Sequence, residues 1–496
     1  MSLVETDWLE KNISSVKIID CSWHMPQTKR SGLKEYKNQH IPDAIFFDLD
    51  ANSKKEINLP HMLVDQNDWI QIVSKMGIKN EDEIVVYDNS DVISSCRCWF
   101  NFIYFGHNPK LVHVLNGGQK KWIKENKEVT NDVTGIEISV VAVTNRTNWI
   151  IVQLTGSNGL KGLGEGSLGR SAELRELSEF YKLIEGESAF NIHKYRQQGR
   201  EIARNGNRPV ATAFSAIEQA LWDLTSKSLN IPFYDLVGGR LHSDLTVYAN
   251  INRATTNRNP EGFADSAELA VADGFKALKA APFDGFPSLN SSPIEVSAAK
   301  DLGIACVYAM RERVGQDVAI KIDAHSFFNT QMSIDVAREL EAANLSWYEE
   351  PVPPTQTENT RIIRESISQT LAGGEFLFGV EGFKPLCEQN AVDIIMPDIK
   401  HCGGMWEAIK IASLAEAYEI KVSPHNPSGP ISTAASIALC AAIPNFDILE
   451  FQWGEQSWRS KLIEPNEIFF EGAITVSNEP GYGITLNEQT LEQHRI

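Results

Sequence analysis

The chain has 496 residues, Lys+Arg 46 against Asp+Glu 65, and a formal charge of -19. That length calls for roughly two to four packed units, and the charge, -3 over residues 1–133 and -16 beyond, makes phosphate backbones and anionic membranes poor partners. Seven cysteines without a C-x-x-C pair argue against a disulfide framework, no apolar run nears the roughly 18 to 20 residues of a membrane span, and "MSLVETDWLEKN" lacks a signal-peptide plan, so a cytoplasmic protein is expected.

From Val16 to about Trp122, short apolar strands ("VKIID", "IVVYD", "LVHVL") alternate with helical stretches such as "QNDWIQIVSKMG", which predicts a small α/β unit over residues 1–133. The polar run "KENKEVTND" marks its end. Next, "ISVVAVTN" and "WIIVQLTGSNGLKGLGEG" read as strands, the latter turning at Ser157-Asn158-Gly159. With the helix "ATAFSAIEQALWDLTSKSLN" they predict an α+β piece over 134–242. Gly164-Glu165-Gly166-Ser167-Leu168-Gly169 fits G-x-G-x-x-G, but an acid sits inside the would-be phosphate loop and no parallel βαβ unit surrounds it, so no dinucleotide is expected. Over 243–455 strand and helix alternate strictly: "LTVYANI", "FKALKA", "VAIKIDA", "LSWYEE", "TLAGGE", "AVDIIMPD", "IKVSPH" and "FDILEF" are eight strands, seven of them followed by helical segments. The fold class is therefore α/β, with a (β/α)8-type barrel. Residues 456–496 form a C-terminal segment.

The barrel strands end in polar residues at a near-regular beat: Asp323, Glu349, Glu375, Asp398, His425 and Glu450, with gaps of 26, 26, 23, 27 and 25. All C-terminal strand ends of such a barrel meet at one mouth. Any one acid alone reads as a helix cap; six in phase do not. Asp323, Glu349 and Glu375 come from adjacent strands and offer only oxygen, the donor Mg²⁺ requires, and three like charges packed together call for a cation. Cysteine is absent from these strand ends, and Cys402 reads as packing. Alternation turns Glu350 away from the mouth. Asp398 beside His425 makes a general-base candidate, since a carboxylate orients an imidazole. Asp323 and His325, two positions apart, are expected to project together, and Lys279 ends the second strand.

With "WYEEPVPP", "AGGE", "MPDIKHCGG" and "SPHNPSGP" in place, residues 134–496 resemble the mandelate racemase subgroup of the enolase superfamily. The resemblance implies an α+β capping domain, the barrel, and a tail returning to the cap. It also implies Asp323, Glu349 and Glu375 as Mg²⁺ ligands, Asp398 with His425 as the base dyad, and Glu450 by the enolate oxygens. The family's chemistry is removal of a proton α to a carboxylate, giving an enediolate stabilised by Mg²⁺. The subgroup's racemases carry Lys-x-Lys on the second strand; here Lys279, Ala280 and Ala281 leave out the second lysine. Asp323-Ala324-His325 is similar to the Asp-x-His of galactonate-dehydratase-like members, in which the histidine protonates the departing hydroxyl. The expected reaction is dehydration of an aldonate or aldarate to a 2-keto-3-deoxy acid, with Lys279 stabilising the carboxylate charge. A homo-oligomer acting on a small-molecule carboxylate is implied. An epimerase using His325 and His425 is the alternative within enzymes. Residues 146–149, Tyr248 and Asn250 are candidates for substrate contact.

The first 133 residues resemble another family, the amino-terminal half of tandem mercaptopyruvate sulfurtransferases, of rhodanese fold. "LVETDWLEKN", "IIDCSWHMP", "HIPDAIFFDLD", "LPHML" and "FGHNPKLVHVLNGGQKKW" carry that resemblance. Where active rhodanese domains place a nucleophilic cysteine, "VVYDNSD" has Asp88; Cys96 and Cys98 follow eight and ten residues on. An inert module, serving as a docking or assembly surface, is expected. Sulfur transfer through Cys96 or Cys98 is the alternative from another class, and a non-catalytic binding module a third.

Overall fold

The computed structural model describes residues 2–55, 59–125, 127, 129, 132–144, 147–167 and 171–496. Its contacts divide the chain into two units: Met1–Thr134 with Gly156–Leu160 and Glu185–Phe190, and the remainder.

In the first unit, β1 (Ser2–Val4), β2 (Lys17–Asp20), β3 (Ile45–Phe46), β4 (Ile84–Tyr87) and β5 (Val112–Leu115) form one parallel sheet in the order β1-β5-β4-β2-β3. Strands buried on both faces read as continuous apolar runs. Alternate residues accordingly feed two cores: Ile19, Ile84 and Val86 pack with Trp69 and Phe102, while Ile18, Val85 and Tyr87 pack with Leu9 and Trp122.

The second unit takes most of a three-stranded sheet, β6 (Val133–Ala142), β7 (Asn148–Gly156) and β8 (Lys161–Ser167), followed by helices Ile192–Asn205 and Arg208–Ser228. The glycines of "GLGEG" serve close packing: a Cβ on Gly164 would stand 2.1 Å from Ala216 O, and one on Gly162 would stand 2.2 Å from Ala220 O. Strand β8 thus lies directly against the long helix, and Gly164 has a structural reason that owes nothing to phosphate. Gly169, the other end of the G-x-G-x-x-G match, lies outside the described residues.

Next come β9 (Asp244–Asn250), β10 (Ala277–Ala280), β11 (Ala319–Asp323), β12 (Trp347–Glu349), β13 (Leu371–Gly373), β14 (Ile394–Ile395), β15 (Lys421–Val422) and β16 (Leu449–Gln452). They pair in parallel in the order β15-β14-β13-β12-β11-β10-β9-β16, and the bridge Val422↔Phe446 brings the two ends of the curled sheet together. Helices follow the first seven of these strands; after β16 the chain makes the short 3-10 turn Arg459–Leu462 and only reaches an α-helix again at Glu488–His494. Inside the barrel Tyr248, Trp347, Ala372, Ile394 and Met396 form a buried layer, with the ammonium of Lys321 lying 4.4 Å from the Trp347 ring. This floor forces the polar strand ends to the mouth above it. Residues 456–496 pass back along the long helix, where Tyr482 donates from its N–H to Asp223 and from its hydroxyl to Gln219 O. Among the described residues no helix is long and apolar enough to cross a membrane.

Candidate active site

Strands β11 and β12 run in register, Asp323 opposite Glu349, and Glu375 lies two residues past the end of β13. One carboxylate oxygen from each of the three lies within 4.8 Å of the others, and all three side chains are buried. Their donors are oxygen only. Glu350, past the end of β12 with φ 40°, turns away and bridges loops, accepting from Gly374 N at 3.0 Å and Ser326 Oγ at 3.2 Å.

An imidazole stands at each end of this trio. His425 Nε2 is 2.9 Å from Glu375 Oε2, and its Nδ1 is 2.8 Å from Asp398 Oδ2. His325 Nε2 is 3.0 Å from Asp323 Oδ2, and its Nδ1 is 2.5 Å from Asp284 Oδ1. His325 does not project from the strand alongside Asp323. Strand β11 stops at Asp323, and the ring returns to the mouth because His325 and Ser326 take left-handed backbone angles (φ 45° and 60°), with His325 N donating to Asp323 Oδ1 at 2.8 Å. Lys279 lies behind the trio, 3.0 Å from Glu349 Oε1, 2.9 Å from Glu450 Oε1 and 3.9 Å from Asp323 Oδ2. Glu450 also accepts from Asn250 Nδ2 at 2.7 Å and from Asn426 N at 2.7 Å.

Residues 262–490 match the enolase C-terminal domain-like family, residues 125–238 the mandelate racemase / muconate lactonizing enzyme N-terminal domain, and residues 5–125 the rhodanese-like domain. The chain is 30% identical over 387 residues to the D-xylonate dehydratase of Haloferax volcanii, covering 75% of this chain and 93% of that one. The D-gluconate/D-galactonate dehydratase of Picrophilus torridus is 30% identical over 69% of this chain and 88% of its own. Among solved structures, a mandelate racemase/muconate lactonizing enzyme-like protein from Rubrobacter xylanophilus superposes with TM-score 0.68 at 30% identity, over 74% of this chain and 98% of that one. The chain belongs to the mandelate racemase/muconate lactonizing enzyme family of the enolase superfamily.

The electrostatics of this enolase-superfamily mouth follow from its crowding. Burial opposes the charge on His425, yet Glu375, Glu450 and Asp398 push it up to about 10. Burial likewise opposes His325, which Asp323 and Asp284 push up to about 12. Burial, then the charge of Asp323, drives the Glu349 carboxyl well up. Burial works against Asp323 and Asp398 as well, but His325 holds the first down and Lys400, with His401, the second. The trio fits a hard divalent cation: its donors are all carboxylate oxygens, and Glu375 Oε2 makes no hydrogen bond despite its closeness to His425. A dication there works against protonation of both rings.

Several contacts escaped sequence reasoning. Asp284 comes from the loop after β10. Lys400 donates from Nζ to Asp398 Oδ2 at 2.8 Å, on the oxygen that also meets His425. From the cap, Arg208 stacks 3.4 Å over the Phe376 ring, and Thr212 Oγ1 lies 2.9 Å from His401 Nδ1. Lys400 was within sight, two residues after Asp398 in "MPDIKHCGG"; the others carry no local signal. Of the substrate-contact candidates, Asn250 reaches the mouth, Tyr248 lies fully buried in the layer below, and Trp149 is buried in the cap against Trp458. Arg146 lies outside the described residues.

In the rhodanese-like unit, Asp88 follows β4 and its carboxylate fills the helix N-terminus that begins at Ser94, accepting from Ser95 N at 2.6 Å and Ser90 N at 3.1 Å. Cys98 is buried, and burial pushes the Cys96 thiol up.

Proposed function

We propose that the chain is an acid-sugar dehydratase of the aldonate/aldarate class, dependent on a divalent cation, Mg²⁺ by its donor set. The observation that carries this reading is the pair of carboxylate-backed imidazoles flanking the three acids. The dehydratases of xylonate and of gluconate/galactonate among its relatives point to the same substrate class. Asp323, Glu349 and Glu375 would hold the cation, which when bound polarises the substrate carboxylate and so acidifies the α-carbon.

Every other task falls to the chain's own groups. His425, oriented through Nδ1 by Asp398, takes the C2 proton at Nε2. Lys279, paired with Glu450, would balance as an ammonium the charge that grows on the carboxylate. His325 gives its Nε2 proton to the C3 hydroxyl: the C3–O bond breaks, water leaves, and the enediolate electron pair becomes the C2–C3 double bond. The enol then ketonises to the 2-keto-3-deoxy acid. The two flanking imidazoles also suit a racemase or epimerase, in which His325 would reprotonate C2 from the other side.

A screen of sugar acids with Mg²⁺, read as 2-keto acid, tests the reading, and mass spectrometry in deuterium oxide separates the two reactions: dehydration loses about 18 Da, whereas epimerisation exchanges one hydrogen. His425→Asn is expected to lose turnover by at least about 100-fold while still binding metal. Equal rates for variant and parent would remove His425 as the base.

A further inference from the structure

The partner of one mouth imidazole, Asp398, lies just past β14; the partner of the other, Asp284, lies just past β10. Asp284 belongs to the loop after β10, and it is itself held from both sides. Its Oδ2 accepts from Asn252 Nδ2 at 2.9 Å and from the Arg258 guanidinium at 3.1 Å. Arg258 in turn donates to Asn252 Oδ1 at 2.6 Å, Asn252 O at 3.0 Å and Ala281 O at 2.5 Å. These contacts tie together the loops that follow β9, β10 and β11. An ionised carboxylate only accepts, so the hydrogen of the Asp284 contact belongs to His325 Nδ1. Its other nitrogen, Nε2, points to the acidic trio, 3.0 Å from Asp323 Oδ2. Left-handed backbone at two consecutive non-glycine residues, His325 and Ser326, persists only where surrounding contacts over-determine it. The Asp284 contact is one such restraint.

We infer that Asp284, braced by Arg258 and Asn252, is a positioning residue for His325, holding Nδ1 so that the Nε2 proton faces the hydroxyl that leaves. This rests on the dehydratase reading. Beyond it, the commitment to elimination, as against simple proton exchange at C2, depends on a carboxylate from the loop after β10. Without it His425 still removes and returns the C2 proton, but the ring opposite no longer delivers its own.

The test uses the full-length chain with Mg²⁺ and whichever sugar acid the parent dehydrates, in deuterium oxide. Asp284→Asn is expected to form keto acid about 100-fold more slowly or worse. Its unreacted substrate gains deuterium at C2 at a rate within a few-fold of parental turnover, with KM little changed, and Asp284→Glu recovers part of the elimination. Parental dehydration by Asp284→Asn overturns the inference. So does an equal loss of exchange and elimination, which marks a merely structural brace. A second readout needs no substrate. A low-field imidazole N–H proton resonance is expected in the parent, absent from Asp284→Asn and His325→Asn and retained in His425→Asn; its survival in Asp284→Asn overturns the inference. A parent that turns over no sugar acid overturns the functional reading alone, because the resonance still decides the clamp.

Discussion

Glu375 Oε2 lies 2.9 Å from an imidazole nitrogen without hydrogen bonding to it, beside two more buried carboxylates. Glu375→Gln removes one of three anionic oxygens, so affinity for Mg²⁺ in calorimetric titration is expected to fall by more than about 10-fold. The metal-free variant should melt no lower than the parent, since the change also relieves like-charge repulsion. Undiminished affinity would strike Glu375 from the ligand set. These acids were legible because each comes at or just past the end of an apolar strand, one repeat after the last. Asp284 was not, because nothing local distinguishes it from any loop acid; its meaning comes from His325, 41 residues later, folding back through a left-handed turn.

Between cap and barrel, helix Ile192–Asn205 meets helix Met405–Glu416 through a buried ionic cluster. Arg196 and Arg200 both donate to Glu407, Arg196 also bonds Glu218 at 2.9 Å, and Glu218 accepts from Met405 N at 2.6 Å. Burial opposes ionisation of Glu407, but Arg200 and Lys410, with Arg196, hold its carboxyl at about 2, below the ordinary 4.5. The folded chain thus binds this proton less readily than the unfolded one; the stabilisation is whole above pH 4.5 and is lost as pH falls toward 2. Glu407→Gln should therefore cost about 3 kcal/mol near neutrality. Its melting temperature should also fall less than the parent's between pH 6 and pH 3. Parallel pH profiles would place the clasp elsewhere. The helices and strands were visible in the periodicity, but this pairing was not, because Arg196 and Glu407 are 211 residues apart.

Each unit has its own cores: Ile19, Val86 and Trp69 with their neighbours in one, the barrel and cap residues in the other. Calorimetry of the whole chain is expected to give two transitions, of which only one moves upward with Mg²⁺, by an amount equivalent to about 2.7 kcal/mol at a hundredfold excess over Kd. A single transition shifted as a whole would show the units to be energetically one. At the rhodanese-like unit, Asp88 already occupies the backbone N–H groups that a persulfide would need. The parent should form no thiocyanate from thiosulfate and cyanide; formation abolished by Cys96→Ser with Cys98→Ser would give that unit sulfur chemistry.

The order of units, the barrel and six of its mouth residues follow from the sequence alone, because burial on both faces writes continuous apolar strands and the repeat length sets where each polar end falls. Only the tertiary structure decided which imidazole nitrogen meets which carboxylate, that Tyr248 belongs to the floor rather than the mouth, that Asp284 backs the His325 ring, and that Lys400 backs the Asp398 carboxylate. Those facts depend on turn geometry and on loops from different strands arriving within hydrogen-bond distance, and no pattern along one stretch of chain encodes a distance between two.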